Sequence, residues 1–444
     1  MRNSAVARLV IMGVLTVALL IPLTWVYSIV SERSSRRDVA VAEISGTWGG
    51  QQTLGGPVLA VPYTTIWTDS AGREVRSVCR AYFLPRDLQI DGTLTPQIRS
   101  RGIFDAIVYR ADLKVTGKFV RPALDWIRPA PAQIDWSQAT INVGVADPRG
   151  LTRRSTIRVA NQDLALSGGV AQVGLFTTGA QAVVPSLGEI AAGADIPFEF
   201  TIEMNGTRDM MFLPTAEETT INLTSRWPHP SFSGTPLPIT RTLDQTGFSA
   251  QWHAASFGRP YPSRWTSNDT NPEQLLAQAR QSAFGVSLMQ PVDIYQQSER
   301  SVKYAVLFIV LTFLVFFLWE VFHAAFLHPM QYAFVGFALC IFYLLLVSIS
   351  EHAGFDLAYA ISASVTTILI AGYARSVLGG TKQGASVLAA LSGLYGFLYL
   401  LLRLEDYALL AGSIGLFLIL AFVMYITRRM NWYELKLGQN REIA

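Results

Sequence analysis

Cysteine, histidine and charge are all scarce in this chain. Two cysteines stand among 444 residues, Cys79 in a polar stretch and Cys340 inside an apolar run, so no disulfide framework can hold the fold. Cys79 lies in "REVRSVCRAYF", where Val75, Ser77, Cys79, Ala81 and Phe83 share one face of a predicted strand, and it reads as a buried structural thiol. Charged residues make up 15%, against about a quarter in soluble domains, while 50% of the chain is hydrophobic. That is the composition of a membrane protein. The net charge of +3 is small and the Lys and Arg residues are scattered rather than striped, which excludes nucleic acid as a partner. There is no HExxH, GxSxG or Walker loop. In the long middle region only His229 and His253 could serve a Ser-His-Asp arrangement. The serines beside the first, Ser231 and Ser233 in "WPHPSFSG", read as part of a proline-locked turn anchored by Trp227 and Phe232. Neither a cofactor nor a catalytic centre is expected.

What the chain does have is long apolar runs. The first, "LVIMGVLTVALLIPLTWVYSIV" at 9–30, follows Arg2 and Arg8 and closes on Trp25 and Tyr27, which suit the depth of a membrane interface. A cleavable signal peptide is the rival, given "AVA" at 40–42. Its apolar core would be shorter, however, and Arg33, Arg36 and Arg37 stand between this run and that site, so an uncleaved anchor is expected. Five further runs, at 304–321, 332–349, 356–374, 384–402 and 406–427, make six spans. An even number places both termini on one side. Arg375 and Lys382 in one short loop, with Arg428, Arg429, Lys436 and Arg441 in the tail, assign that side to the cytoplasm. The opposite loops hold Glu351, Asp356, Glu405 and Asp406 against Arg403 alone. Ala385, Ala389 and Gly393, Ser392 with Gly396, and Ala411 with Gly415 recur at four-residue spacing, and tight packing within the bundle is expected from them.

Between the first and second spans, residues 31–302 read mainly as strands and turns, an all-β, sandwich-like domain facing outward. The cues are a "DSAG" turn after "GGPVLAVPYTTIW", a Thr-Gly stop closing "GIFDAIVYRADLKVTGKF", and an "NG" turn within "IPFEFTIEMNGTRDMMFLP". Two helical exceptions are predicted: "SERSSRRDVAVAEISGTW", continuing the anchor, and 271–284, with Thr270 or Asn271 as N-cap and Pro272 in its first turn. The proline-rich stretch 121–136 reads as an extended connector. The divisions are an anchor at 1–30, the β-rich domain at 31–302, a five-helix bundle at 303–428 and a tail at 429–444.

Two groups of ionisable residues edge the apolar runs. Glu320, His323 and His328 would share a helical face and imitate a metal site, but Pro329 should end the helix before His328. Glu351 and His352 would lie at the far end of the third span, roughly 27 Å away, so one shared metal site is excluded. These five are the functional candidates, as proton-sensitive or partner-contacting positions. The competing expectation is that they are ordinary interfacial groups solvated by headgroups and water. The cores of spans two to six carry no Asp, Glu, Lys, Arg or His, which weighs against ion-coupled transport. Ser362, Ser364, Thr366 and Thr367 are expected to form interhelical hydrogen bonds.

Longer stretches resemble one family. "GGPVLAVPY" at 55–63, "RGIFDAIVYRADLKVTGKF" at 101–119, "WPHPSFSGTPLP" at 227–238, "GFSAQW" at 247–252, and "SERSVKYAVLFIVLTFLVFF" running into "HPMQYAFVG" and "FYLLLVSISEHAGF" are similar to the CreD family of bacterial cell-envelope-integrity proteins. The resemblance implies an inner-membrane location with a periplasmic β domain and control by the CreB and CreC two-component pair. It also implies a role in envelope integrity, colicin tolerance and the response to β-lactam stress. It supplies no catalytic residues. Two functional readings follow: a non-enzymatic binding or signalling protein whose partners are membrane lipid and an envelope protein or glycan, or a membrane enzyme or carrier handling lipid-linked or peptidoglycan material.

Overall fold

The computed structural model describes residues 5–68, 72–153, 155–290, 294–322, 327–404 and 407–428. Its chain divides into two compact units, Met1–Asp38 with Val292–Ala444, and Val39–Pro291.

The helical unit follows from hydropathy. Among the described residues six helices are long and apolar enough to cross a membrane. The first is α1, Ala5–Trp48, a continuous 44-residue helix that merges the expected anchor with its expected helical continuation. Further along the chain come α2, Pro272–Gln281, α3, Ile294–Lys303, α4, Ala305–Phe322, α5, Pro329–Ala353, α6, Phe355–Val377, α7, Thr381–Arg403, and α8, Ala408–Thr427. In hydrocarbon only a helix satisfies every backbone group within one segment, so apolar runs of this length have one available structure. Leu19, Leu23, Val26 and Val30 of α1 share a core with Phe313 and Phe317 of α4 and with Leu339 and Leu346 of α5. The short α3 was not expected: a polar sequence concealed Tyr295, Ser298, Ser301 and Val302 on one buried face.

Two expectations about small residues fail here. Ala385, Ala389, Ser392, Gly393 and Gly396 are all exposed, and a Cβ built on Gly393 or Gly396 would meet nothing within 4 Å. The buried face of α7 is instead Gly384, Val387, Leu391, Tyr395 and Leu398. Four-residue spacing specifies a stripe but does not say which way it turns. Only the Ala411 and Gly415 pair meets its neighbour, because Gly415 of α8 lies against the Phe397 ring of α7.

The second unit is all-β apart from the end of α1, α2 and short 3-10 turns, and its strands form two sheets of ten and eight strands. Hairpins organise both. Gln52–Thr68 pairs antiparallel with Glu74–Phe83, and Asp87–Arg101 pairs along its length with Phe104–Val120, which in turn pairs with Asp195–Thr207. Each sheet also contains a parallel pair, Gln52–Leu54 beside Met210–Phe212 and Asp87–Leu94 beside Glu218–Ser225. In Asp195–Thr207 side chains alternate between exposed and buried, as a strand half covered by a core requires. One core draws on both sheets, including Leu59 and Val61 from one, and Ile90, Leu113, Phe200 and Trp252 from the other. The other face of the ten-stranded sheet is covered by α2, capped as expected by Asn271, with Leu275 and Ala279 against Tyr82 and Trp265. Cys79 is buried and accepts a hydrogen bond from Asn268 Nδ2 at 2.9 Å.

Two glycine signals were misread. Gly117 does not stop its strand: it sits where a Cβ would be 2.2 Å from the Asp87 carbonyl oxygen and 2.6 Å from the Phe198 ring. Nor does "NG" make the turn. The strand runs through Asn205 and Gly206, whose missing side chain admits the Tyr109 hydroxyl, and the chain passes to the other sheet at Arg208, with φ of 62°. "WPHPSFSG" is likewise more than a turn, since Pro230–Ser233 is a strand paired with Phe284–Leu288. Its anchors are as expected: Phe232 packs 5.6 Å from the Trp252 ring and Trp227 Nε1 donates to the Met289 carbonyl at 2.9 Å.

Gly117→Ala is expected to lower the stability of the β unit by about 1 to 3 kcal/mol through overpacking, whereas Gly168→Ala, with open space around it, stays within about 0.5 kcal/mol. Thermal unfolding of the purified full-length protein followed by limited proteolysis checks the pair.

Candidate functional site

Glu320 ends up far from water. In the last turn of α4 it has no exposed surface, which corrects the expectation of a solvated interfacial group. Its carboxylate is ion-paired with Arg8 of α1, accepts from the Leu327 backbone N–H at 2.9 Å through Oε1, and accepts from the Tyr332 hydroxyl at 3.0 Å through Oε2. Arg8 is itself 9% exposed. A buried carboxylate is tolerable only with a counter-charge and further donors, and here α1, α4, the connection after α4 and α5 each supply part of the set. The sequence signal was a lone acid closing one apolar run and a lone base opening another. His323 lies outside the described residues. His328 is the N-cap of α5: its Nδ1 accepts from the Met330 N–H at 3.3 Å, while Gln331 Oε1 accepts from the His328 N–H at 2.8 Å. The helix break imposed by Pro329 is therefore as expected, and the histidine does capping work.

Glu351 occupies the last turn of α5 and is held from the other direction. The Tyr295 hydroxyl of α3 donates to its Oε1 at 3.0 Å, and Arg33 of α1 approaches the same oxygen at 3.7 Å. Burial, reinforced by the Glu351 carboxylate, pushes the Tyr295 hydroxyl far above its ordinary value, so it remains a donor. Arg37 lies 5.7 Å from the Tyr295 ring centre, and Tyr27 of α1 donates to Glu299 of α3 at 3.1 Å. His352 is exposed and is not part of this group. Along α5 the His328 cap and Glu351 are separated by about 35 Å, more than the spacing predicted from the sequence. Among the described residues no three His, Cys, Asp or Glu side chains lie close enough to hold a metal ion.

A third polar cluster, unforeseen in the sequence, fastens the strand that follows α1. Gln52 is fully buried and donates to the carbonyls of Asp147 at 3.0 Å and Asn205 at 2.8 Å. The Gly50 N–H donates to Asp147 Oδ2 at 2.8 Å, and the Thr207 hydroxyl donates to the Gly49 carbonyl at 2.7 Å. Trp48, the final residue of α1, donates from Nε1 to the Tyr109 carbonyl at 3.2 Å beneath the Arg99 guanidinium, 3.7 Å from its ring centre. Arg149, aided by the Gly50 N–H, holds the Asp147 carboxyl down at about 2.

The β unit also carries an open cleft of about 380 Å³ lined by Thr93, Thr224, Arg226, Thr242, Asp244 and Ser249, among others. Its lining is hydroxyls with one charge of each sign, which suits a hydrogen-bonding ligand more than an apolar one. Gly247, Phe248 and Ser249 of "GFSAQW" form part of it. His253 stands elsewhere, with Nε2 2.8 Å from Glu218 and Nδ1 3.4 Å from the Thr220 hydroxyl, on neighbouring strands where all three side chains are partly or fully exposed. That is a cross-strand surface pair.

A profile of the family described as "Inner membrane protein CreD" matches residues 4–433. The inner membrane protein CreD of Escherichia coli (strain K12) is 34% identical over 424 residues, covering 94% of this chain and 92% of its own. Among solved structures, two crystal structures of a mutant M1 zinc metallopeptidase from Deinococcus radiodurans align at 8% and 10% identity with TM-scores of 0.19 and 0.21. The first alignment covers 38% of each chain, and the second covers 74% of this chain and 89% of the other. Scores that low imply nothing about this chain.

Arg8→Met should destabilise the helical unit by about 3 kcal/mol by leaving Glu320 buried and unpaired, and adding Glu320→Leu should recover most of that loss. Thermal melts of the three variants in detergent micelles read the difference. In the β unit, the depressed Asp147 carboxyl contributes stability that is fully present above its ordinary value near 3.8 and is lost as pH falls through about 2. Because Arg149 is largely exposed, the effect is about 1 kcal/mol. Asp147→Asn should flatten the stability profile between pH 4 and pH 2, measured as protease resistance of the full-length protein.

Proposed function

The chain belongs to the CreD family of inner-membrane proteins, and from that premise we propose that it supports cell-envelope integrity as a binding or signalling protein, acting in the response to envelope and β-lactam stress. In this reading the β unit faces the periplasm and binds an envelope protein or glycan, while the helical unit holds it in the lipid and carries both termini in the cytoplasm. The orientation is supported by Arg375 and Lys382 at the helix ends flanking the α6–α7 connection, against Glu351 and Asp356 at the helix ends flanking the α5–α6 connection.

The observation that carries the binding role is the hydroxyl-lined cleft. Thr and Ser side chains both donate and accept, and Arg226 and Asp244 add one charge of each sign, so a glycan or an extended peptide could be held without any catalytic group. A signalling role draws support from α1, a single helix that is ion-paired to α4 and α5 in one unit and ends on Trp48 in the polar knot of the other.

Photocrosslinking amino acids at Thr242, Thr246 and Ser249, in cells under β-lactam stress, test the cleft directly. A discrete protein or glycan adduct that is lost with Arg226→Ala is the expected result. Adducts to bulk lipid alone would overturn the binding role and leave the bundle as the working part, handling lipid-linked or peptidoglycan material.

A further inference from the structure

Inside the bundle a set of hydroxyls is left without partners. Thr312 of α4, Tyr343 of α5 and Ser362 of α6 have no exposed surface and their hydroxyls have no hydrogen-bond partner, while Tyr395 of α7 is 3% exposed and its hydroxyl is shared with Thr366. The expected interhelical bonding by Ser362 is therefore not made, and Ser364 is exposed. Each of the four comes from a different helix. Counted from Ala305, Ala353, Phe355 and Arg403 at 1.5 Å per residue, all lie roughly 10 to 15 Å below the same end of the bundle.

Their surroundings bring them together. The Tyr359 hydroxyl donates to the Tyr395 carbonyl at 2.7 Å, and the Phe342 and Phe308 rings lie 4.8 and 4.5 Å from the Tyr395 ring. Tyr343 lies near Tyr395 and Tyr359, and the Tyr395 hydroxyl bonds Thr366, one helical turn from Ser362. At that same end α3 packs against α4, α5, α6 and α7, and its Ser298 and Ser301 hydroxyls are also fully buried and unpartnered.

An unpaired hydroxyl in an apolar interior is costly, and such groups are ordinarily satisfied by protein or by ordered water. One water needs two to four polar partners, which neighbouring hydroxyls on four helices can provide. Among the described residues no Asp, Glu, Lys, Arg or His lies at this level: Glu320 is at the opposite end of α4, and Asp356 is paired with Arg403 at the surface. Nothing there would compensate an ion. We propose that Thr312, Tyr343, Ser362 and Tyr395 line a hydrated chamber within the bundle, a site that takes water and small uncharged hydrogen-bonding solutes and rejects ions. This goes beyond the binding role of the β unit and does not depend on it.

The test uses the full-length protein in lipid nanodiscs, with Cys79 and Cys340 replaced by alanine. Thiol reagents react with the thiolate, which forms only where water is present, so the reaction rate reports hydration. Thr312→Cys and Ser362→Cys should react with neutral methyl methanethiosulfonate at least ~10-fold faster than Ile361→Cys, which adjoins Ser362 but faces away from the bundle. Equal rates would overturn the chamber. A cationic methanethiosulfonate should react much more slowly than the neutral reagent at both buried positions, and equal reaction would overturn the exclusion of ions. Tyr343→Phe and Tyr395→Phe give a readout independent of the cysteines. If the hydroxyls hold water, each loss lowers Tm by a few degrees. A Tm that is unchanged or higher, as follows when an orphaned group is deleted from a dry core, would overturn the proposal.

Discussion

A charge enters an apolar interior only with its counter-charge beside it, and the helical unit is arranged around that constraint. Arg8 meets Glu320 near one end of α1, and Arg33 meets Glu351 some 37 Å further along, by the rise of the helix. Between these two levels α1 offers apolar contacts, which do not by themselves set its height, and a hydrogen bond from Tyr27 to Glu299. The two pairs do. Tyr332, the Leu327 backbone and Tyr295 then satisfy the remaining carboxylate lone pairs, so the connection after α4 and the otherwise polar α3 take their places because those acids are where they are.

In the β unit the same accounting is carried out with dipoles. Long strands leave few backbone groups unpaired within the sheets, and the point of difficulty is the junction after α1, where the chain changes from helix to strand. Gln52, Asp147, Asn205 and Thr207 close that junction with side-chain and carbonyl hydrogen bonds in a buried setting. Where the main chain needed room, glycine supplied it: Gly117 lets two strands and the Phe198 ring converge, and Gly206 admits the Tyr109 hydroxyl. The cleft beside Thr93, Thr242 and Ser249 is the opposite case, a place where hydroxyl-bearing side chains face solvent.

The charged anchors and the unpartnered hydroxyls divide the bundle into regions with different capacities. The level of Glu320 is rigid because its charge is matched. The level of Tyr343 and Tyr395 has no charge to match, and its polar atoms remain available.

The six spans, the long hairpins, the Asn271 cap and the break at Pro329 were legible because each depends on a local quantity: the apolar length of a run, strand alternation, one side chain, one ring. The stripe of Ala385, Ala389 and Gly393 shows the limit, since periodicity identifies a face without saying what it faces, and here it faces away from the bundle. Gly117 and Asn205-Gly206 show it again, because glycine marks both a turn and a close approach, and only the neighbour at that position distinguishes them. Glu320 was visible as a residue at an edge, but its partner Arg8 lies at the far end of the sequence. The sequence alone determined which segments enter the membrane and which form sheets, because transfer from water and backbone pairing act over a few neighbouring residues. Which buried groups find partners was decided only in the tertiary structure, because a hydrogen bond or ion pair depends on atoms a few ångströms apart that the chain brings together from hundreds of residues away.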